Sequence, residues 1–133
     1  MKGYCDNIEQ ATVENEEFRR VLYTGKHLQL VLMTLKPGEE IGSEVHEDRD
    51  QFFRIDEGAG TVDIDGVANA VEDGSAVIVP AGARHNVRNT GSAPLKLYTL
   101  YGPPEHLDGI TQATKADAEA RHHDEEWDGK TTE

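Results

Sequence analysis

The sequence has one cysteine, Cys5, so an internal disulfide is excluded. It has no hydrophobic run of membrane-spanning length, which sets aside a transmembrane helix. The opening MKGYCDNIEQ holds no apolar stretch of the kind that acts as a secretory signal. With neither disulfide nor signal, a cytoplasmic location is expected. Basic residues are scarce too, 13 against 26 acidic ones, for a formal net charge of −13. Such a surface repels phosphate backbones and anionic lipids, so neither nucleic acid nor membrane is expected as a partner. No internal repeat or low-complexity segment is present. The stretch GAGTVD lacks the third glycine and the following helix of a dinucleotide fingerprint, so no nucleotide cofactor is expected.

What the 133 residues do contain is short strands punctuated by turns, in a length suited to one domain. Arg20–Tyr23, His27–Leu35, Gln51–Ile55, Thr61–Ile64, Ala76–Val79, His85–Asn89 and Leu95–Tyr101 are rich in β-branched, leucine or aromatic residues. Between them lie Pro37-Gly38, Gly58-Ala59-Gly60, Asp65-Gly66, Asp73-Gly74 and Pro80-Ala81-Gly82. Asp65-Gly66 predicts a two-residue type I′ hairpin to Val67–Val71, because both turn positions need positive φ. Strands at this spacing indicate an all-β sandwich or barrel over residues 19–101. Residues 1–18 read as a polar arm, with Asp6–Phe18 a loop. Residues 102–133 read as an extension, with a short helix over Thr114–Trp127 capped by Thr114 and a disordered end from Asp128.

Chemistry gathers at three places. Glu44 and His46 are two apart, so on a strand both project to one face. Gln51 opens the next strand, after the charged tip Glu47-Asp48-Arg49-Asp50. His85 begins another strand after Pro80-Ala81-Gly82. Alternation then sends Ala83, Val87 and Asn89 inward with His85, and Phe53 and Ile55 inward with Gln51, while Arg84 and Arg88 turn outward.

This pattern resembles the two motifs of the cupin superfamily. Gly38 is followed by five residues, Glu44-Val45-His46, four residues, Gln51, six residues and Gly58. Gly74, Pro80, Gly82, His85 and Asn89 match the second motif at every position. The resemblance implies a single cupin barrel (jelly roll, or double-stranded β-helix) with a short C-terminal helix. It also implies one divalent transition metal, Mn, Fe, Co, Ni or Zn, held by Glu44, His46, Gln51 and His85. Glu44 stands where the family has its first histidine and Gln51 where it has glutamate. The set still carries a single negative charge, and no thiolate is present to favour copper(I). Asp50 is a rival to Gln51, but it breaks the spacing to Gly58.

The resemblance extends to small mannose-6-phosphate isomerase-like cupins, which implies a metal-dependent enzyme acting on a small oxygenated, sugar-type substrate. Metal-dependent dioxygenase chemistry and a non-catalytic binding or sensing role are the alternatives. A sugar-phosphate isomerase would need a cationic pocket, and the inward face shows no evident lysine or arginine. Tyr98 or Tyr101 supplies a hydroxyl, with register undecided between them. His27 reads as a packed or edge histidine, His106 as a loop residue, and His122-His123 as part of a solvated helix face. A homodimer is expected, paired through the arm and the strand His27–Leu35.

Overall fold

The computed structural model describes residues 2–122 and 124–133. The elements are α1 (Ile8–Glu14), β1 (Arg19–Thr24), β2 (Gln29–Leu35), β3 (Glu44–Val45), β4 (Asp50–Glu57), β5 (Ala59–Ile64), β6 (Val67–Glu72), β7 (Ala76–Val79), β8 (Arg84–Arg88), β9 (Leu95–Gly102), β10 (Thr111–Gln112) and α2 (Lys115–Ala120). The strands form two antiparallel sheets, of order β10-β1-β2-β9-β4-β7 and β3-β8-β5-β6. Their inner faces enclose Val31, Met33, Leu35, Phe53, Ile55, Val62, Val87, Leu95 and Leu97, all essentially inaccessible to solvent. Alternation produces this: in β8, His85 and Val87 are buried while Arg84 is exposed and Arg88 half-exposed. Arg88 is satisfied on the outside by Asp63, at 2.8 and 3.1 Å.

The turn glycines are steric necessities in two places. Asp65 and Gly66 take φ of 47° and 82°, giving the type I′ hairpin between β5 and β6 that their sequence requires. Gly58 has φ of 91°, and a Cβ there would collide with the Pro94 carbonyl. The close approach of the β4–β5 corner to the chain entering β9 thus depends on a residue without a side chain.

The two ends depart from expectation. The arm contains a helix, α1, where a loop was anticipated. Asn7 caps it by accepting from the Gln10 N–H at 3.0 Å, and the helix packs on the outer face of the six-stranded sheet. Its Thr12 is fully buried and returns its hydroxyl to the Ile8 carbonyl, so a polar-looking segment still buries one face. The C-terminal helix is shorter than anticipated and ends at Ala120. Further on the backbone bonds the segment after β9, Leu107 N–H to Glu125 O at 2.9 Å and Trp127 N–H to Glu105 O at 3.0 Å. Residues 128–133 fold back rather than disorder: Thr132 exchanges hydrogen bonds with Thr24 and donates its hydroxyl to Asp108. Gln112 in β10 adds an edge strand to β1 that spacing did not predict. His27 is exposed in the β1–β2 turn rather than packed in a strand, and His123 lies outside the described residues. Among the described residues no helix is long and apolar enough to cross a membrane.

Candidate metal centre

The four expected ligands come from both sheets. In the four-stranded sheet, β3 places Glu44 directly opposite His85 of β8, with His46 just beyond the end of β3. Across the interior, β4 places Gln51 opposite Tyr101 of β9. The donor atoms of Glu44, His46 and His85 all lie within 4.8 Å of one another. Gln51 Oε1 lies 3.1 Å from His85 Nε2. Asp50, the rival, instead accepts from the exposed Ala81 N–H at 2.9 Å, so it belongs to the outer turn.

The protonation states follow from the partners. His85 Nδ1 lies 3.1 Å from the Ala83 carbonyl, which only accepts, so Nδ1 carries the proton. Burial, reinforced by the charge of His46, holds the His85 imidazole below its ordinary pKa despite the Ala83 bond. The ring is therefore neutral, with the Nε2 lone pair facing Gln51 Oε1. The Gln51 amide nitrogen donates to Thr99 Oγ1 at 3.0 Å, and its oxygen is turned toward the histidine. In this orientation Gln51 Oε1 and the His85 Nε2 lone pair lie 3.1 Å apart, an arrangement that a cation between them would relieve. On the other side, His46 Nε2 is 3.0 Å from Glu44 Oε2, yet the contact is misaligned and leaves Nε2 a buried atom with no hydrogen-bond partner. Two oxygen and two nitrogen donors converge here, and with the His46 proton displaced the residues present fit a divalent ion.

The charges near Glu44 and His46 are coupled. Burial alone would raise the Glu44 carboxyl, but contact with His46 and the Arg19 charge outweigh it and leave its pKa lowered. Burial alone would lower the His46 imidazole, but Glu44 and Glu105 outweigh it and leave it raised.

Several residues that sequence reasoning passed over frame this set. Glu105, in the segment after β9, lies 3.6 Å from His46 Nδ1, too long for a hydrogen bond but close enough to act by charge. Arg49 Nε lies 3.0 Å from the same carboxylate oxygen while donating to the Pro104 carbonyl. Gln29 of β2 is fully buried and holds that segment. Its Oε1 accepts from the Glu105 and His106 N–H groups at 3.1 and 3.0 Å. Its amide donates to the His106 carbonyl at 2.7 Å and to Thr24 Oγ1 at 2.9 Å. A polar residue inside the leucine-rich run Gln29–Leu35 was the signal available for it.

Register decides the tyrosine. Tyr101 faces inward, its ring edge-on to His46 at 5.9 Å between centroids, whereas Tyr98 lies on the outer face beside Phe52. Burial pushes the Tyr101 phenol well up, so its hydroxyl stays protonated. His106 is not an ordinary loop residue: its Nε2 is 3.3 Å from the Tyr101 hydroxyl, and burial and the Arg19 charge hold it neutral. His122 lies past the end of α2 and lines a cavity beside Glu44 instead of a helix face. The interior is also not free of cations. Arg19, at the start of β1, is 7% exposed and lines that same cavity.

Two antiparallel sheets closed over converging histidine and carboxylate donors define a small barrel of the jelly-roll class. The chain belongs to the cupin family: residues 31–101 match the family model described as the cupin domain. It is similar to the protein YrkC of Bacillus subtilis, 49% identical over 125 residues that cover 90% of this chain and 67% of that protein. The crystal structure of the Bacillus halodurans protein BH2720 superposes with a TM-score of 0.88 at 46% identity, covering 90% of this chain and 95% of that one. A shorter likeness, 32% identity over 73 residues, links 55% of this chain to 15% of the Escherichia coli mannose-1-phosphate guanylyltransferase.

Proposed function

We propose that this cupin holds one divalent transition metal on Glu44, His46, Gln51 and His85 and uses it as an enzyme on a small oxygenated substrate, in the manner of an isomerase. The observation that carries the reading is the convergence of three donors within 4.8 Å, with the Gln51 carbonyl oxygen aimed at the same point. The guanylyltransferase likeness supports a sugar-type substrate. A divalent ion held by Glu44, His46, Gln51 and His85 would supply Lewis acidity to a substrate oxygen. The chain's own residues do the rest. Gln51 and His85 present oxygen and nitrogen from rigid strands, and four protein ligands leave positions open for substrate oxygens. Tyr101 offers a protonated hydroxyl at the site, while Phe53, behind the His85 ring at 6.3 Å, excludes water from the inner wall.

The test is the metal content of protein purified without an affinity tag. One transition-metal ion per chain is expected. His46→Ala and His85→Ala should each abolish it, with Gln51→Ala weakening it less. If no transition metal copurifies and none binds on addition, the reading fails, and equal retention in the three variants removes the ligand assignment.

A further inference from the structure

The cavity beside Glu44, about 280 Å³, is lined by Arg19, Ile41, Glu44, Ala118, Glu119 and His122. Its chemistry turns on Arg19. The guanidinium is fixed at two points: Nη1 donates to Gln112 Oε1 at 2.8 Å, and the Phe18 ring lies 5.3 Å from its central carbon. Its Nε is buried and has no hydrogen-bond partner. A side chain 7% exposed, held in place with an open donor, is costly unless something fills that edge.

Two carboxylates share the cavity, and neither takes this position. Glu44 faces His46 at 3.0 Å and belongs to the donor set. Glu119 is exposed and lies 3.9 Å from Lys115. With a divalent ion on Glu44, the metal and Arg19 together make this end of the barrel cationic within a chain of net charge −13.

We propose that Arg19 is the carboxylate receptor of the site. A small 2-hydroxy or 2-oxo carboxylate binds in the cavity, its carboxylate on the Nε edge of the guanidinium and its neighbouring oxygen turned toward Glu44, through which the cavity meets the donor set. This rests on the metal reading above and narrows its substrate class. A planar guanidinium matches a carboxylate in bidentate geometry. Phosphate can engage the same fork, so it is the competing ligand against which a carboxylate is measured.

The experiment is calorimetric titration of the Mn²⁺-loaded full chain with glycolate, with its neutral analogue ethylene glycol, and with inorganic phosphate. Glycolate is expected to bind at least about tenfold more tightly than ethylene glycol, as a charge-assisted pair requires, and more tightly than phosphate. Arg19→Gln should lose at least about tenfold of the glycolate affinity, keep its Mn²⁺, and bind ethylene glycol as before. Arg19→Lys, which keeps the charge but not the fork, serves if the glutamine variant does not fold, and it too should bind glycolate more weakly than the parent. Glycolate binding unchanged in either folded variant, no preference over ethylene glycol, or a preference for phosphate overturns the assignment. Failure of the parent chain to take up any divalent ion overturns the metal reading itself. Uptake of Mn²⁺ with glycolate binding indifferent to Arg19 overturns the carboxylate receptor alone.

Discussion

The donor set has two halves built differently. Gln51 and His85 sit on β4 and β8, 3% and 5% exposed, each locked by one inward partner, Thr99 and the Ala83 carbonyl. Glu44 and His46 sit on and just beyond the two-residue strand β3, with side chains 31% and 12% exposed. Glu44 is paired with β8, but the His46 side chain faces a distant segment, Pro103–His106, through Glu105, and Gln29 and Arg49 tie that segment down. The inner half is therefore preformed by sheet register. In the outer half the His46 side chain is flanked by a loop, and its geometry depends on that loop's attachment.

The largest effect expected from this contrast is that of Gln29→Leu. The substitution removes four hydrogen bonds and leaves the Glu105 and His106 amides without acceptors, at a cost of about 3 kcal/mol. Urea denaturation should show that loss, and metal titration should show weakened binding, although Gln29 is no ligand. Parent-like stability would mean that the segment is held by something other than β2.

Next in size is Thr99→Val, which tests the inner half. The methyl group fills the space of the hydroxyl but leaves the buried Gln51 amide nitrogen without its acceptor, worth about 1–2 kcal/mol. Stability should fall by that amount, and metal affinity should fall because the Gln51 oxygen is no longer aimed. If Thr99→Val weakens metal binding without destabilising the fold, the inner half is less preformed than the hydrogen bonds indicate.

The inner half was legible in the sequence and the support of the outer half was not, for a physical reason. Gly38 through Asn89 brings the proposed ligands together by strand alternation and hairpin spacing, both of which are local periodicities. Gly58 and Gly82 stand where the backbone needs positive φ, so the motif itself encodes the corners. Arg19, Gln29 and Glu105 reach the site through pairing between distant strands, β1 with β10 and β2 with β9, which no spacing records. For that reason the inward face looked free of arginine. The α1 helix was missed on different grounds. Its one fully buried side chain is a threonine, so the apolar periodicity that marks a helix is nearly absent, and Asn7 as a cap was the remaining signal.

The smallest effect is the most discriminating. Glu105→Gln keeps the shape of the side chain and its backbone attachment to Gln29 but removes the charge beside His46. Metal affinity should fall about tenfold, the lower end for the loss of a carboxylate behind a ligating histidine. Fold stability should change by less than about 1 kcal/mol, because what is lost is the ion pair with Arg49, whose carboxylate oxygen makes no aligned hydrogen bond. That separation of affinity from stability is what a loop-supplied support predicts. If both quantities fall together, Glu105 is a structural residue pinned by Arg49, and the Glu44–His46 half is as preformed as the inner one. If neither changes, the charge at 3.6 Å does not reach His46, which is then positioned by Glu44 and the Tyr101 and His85 rings.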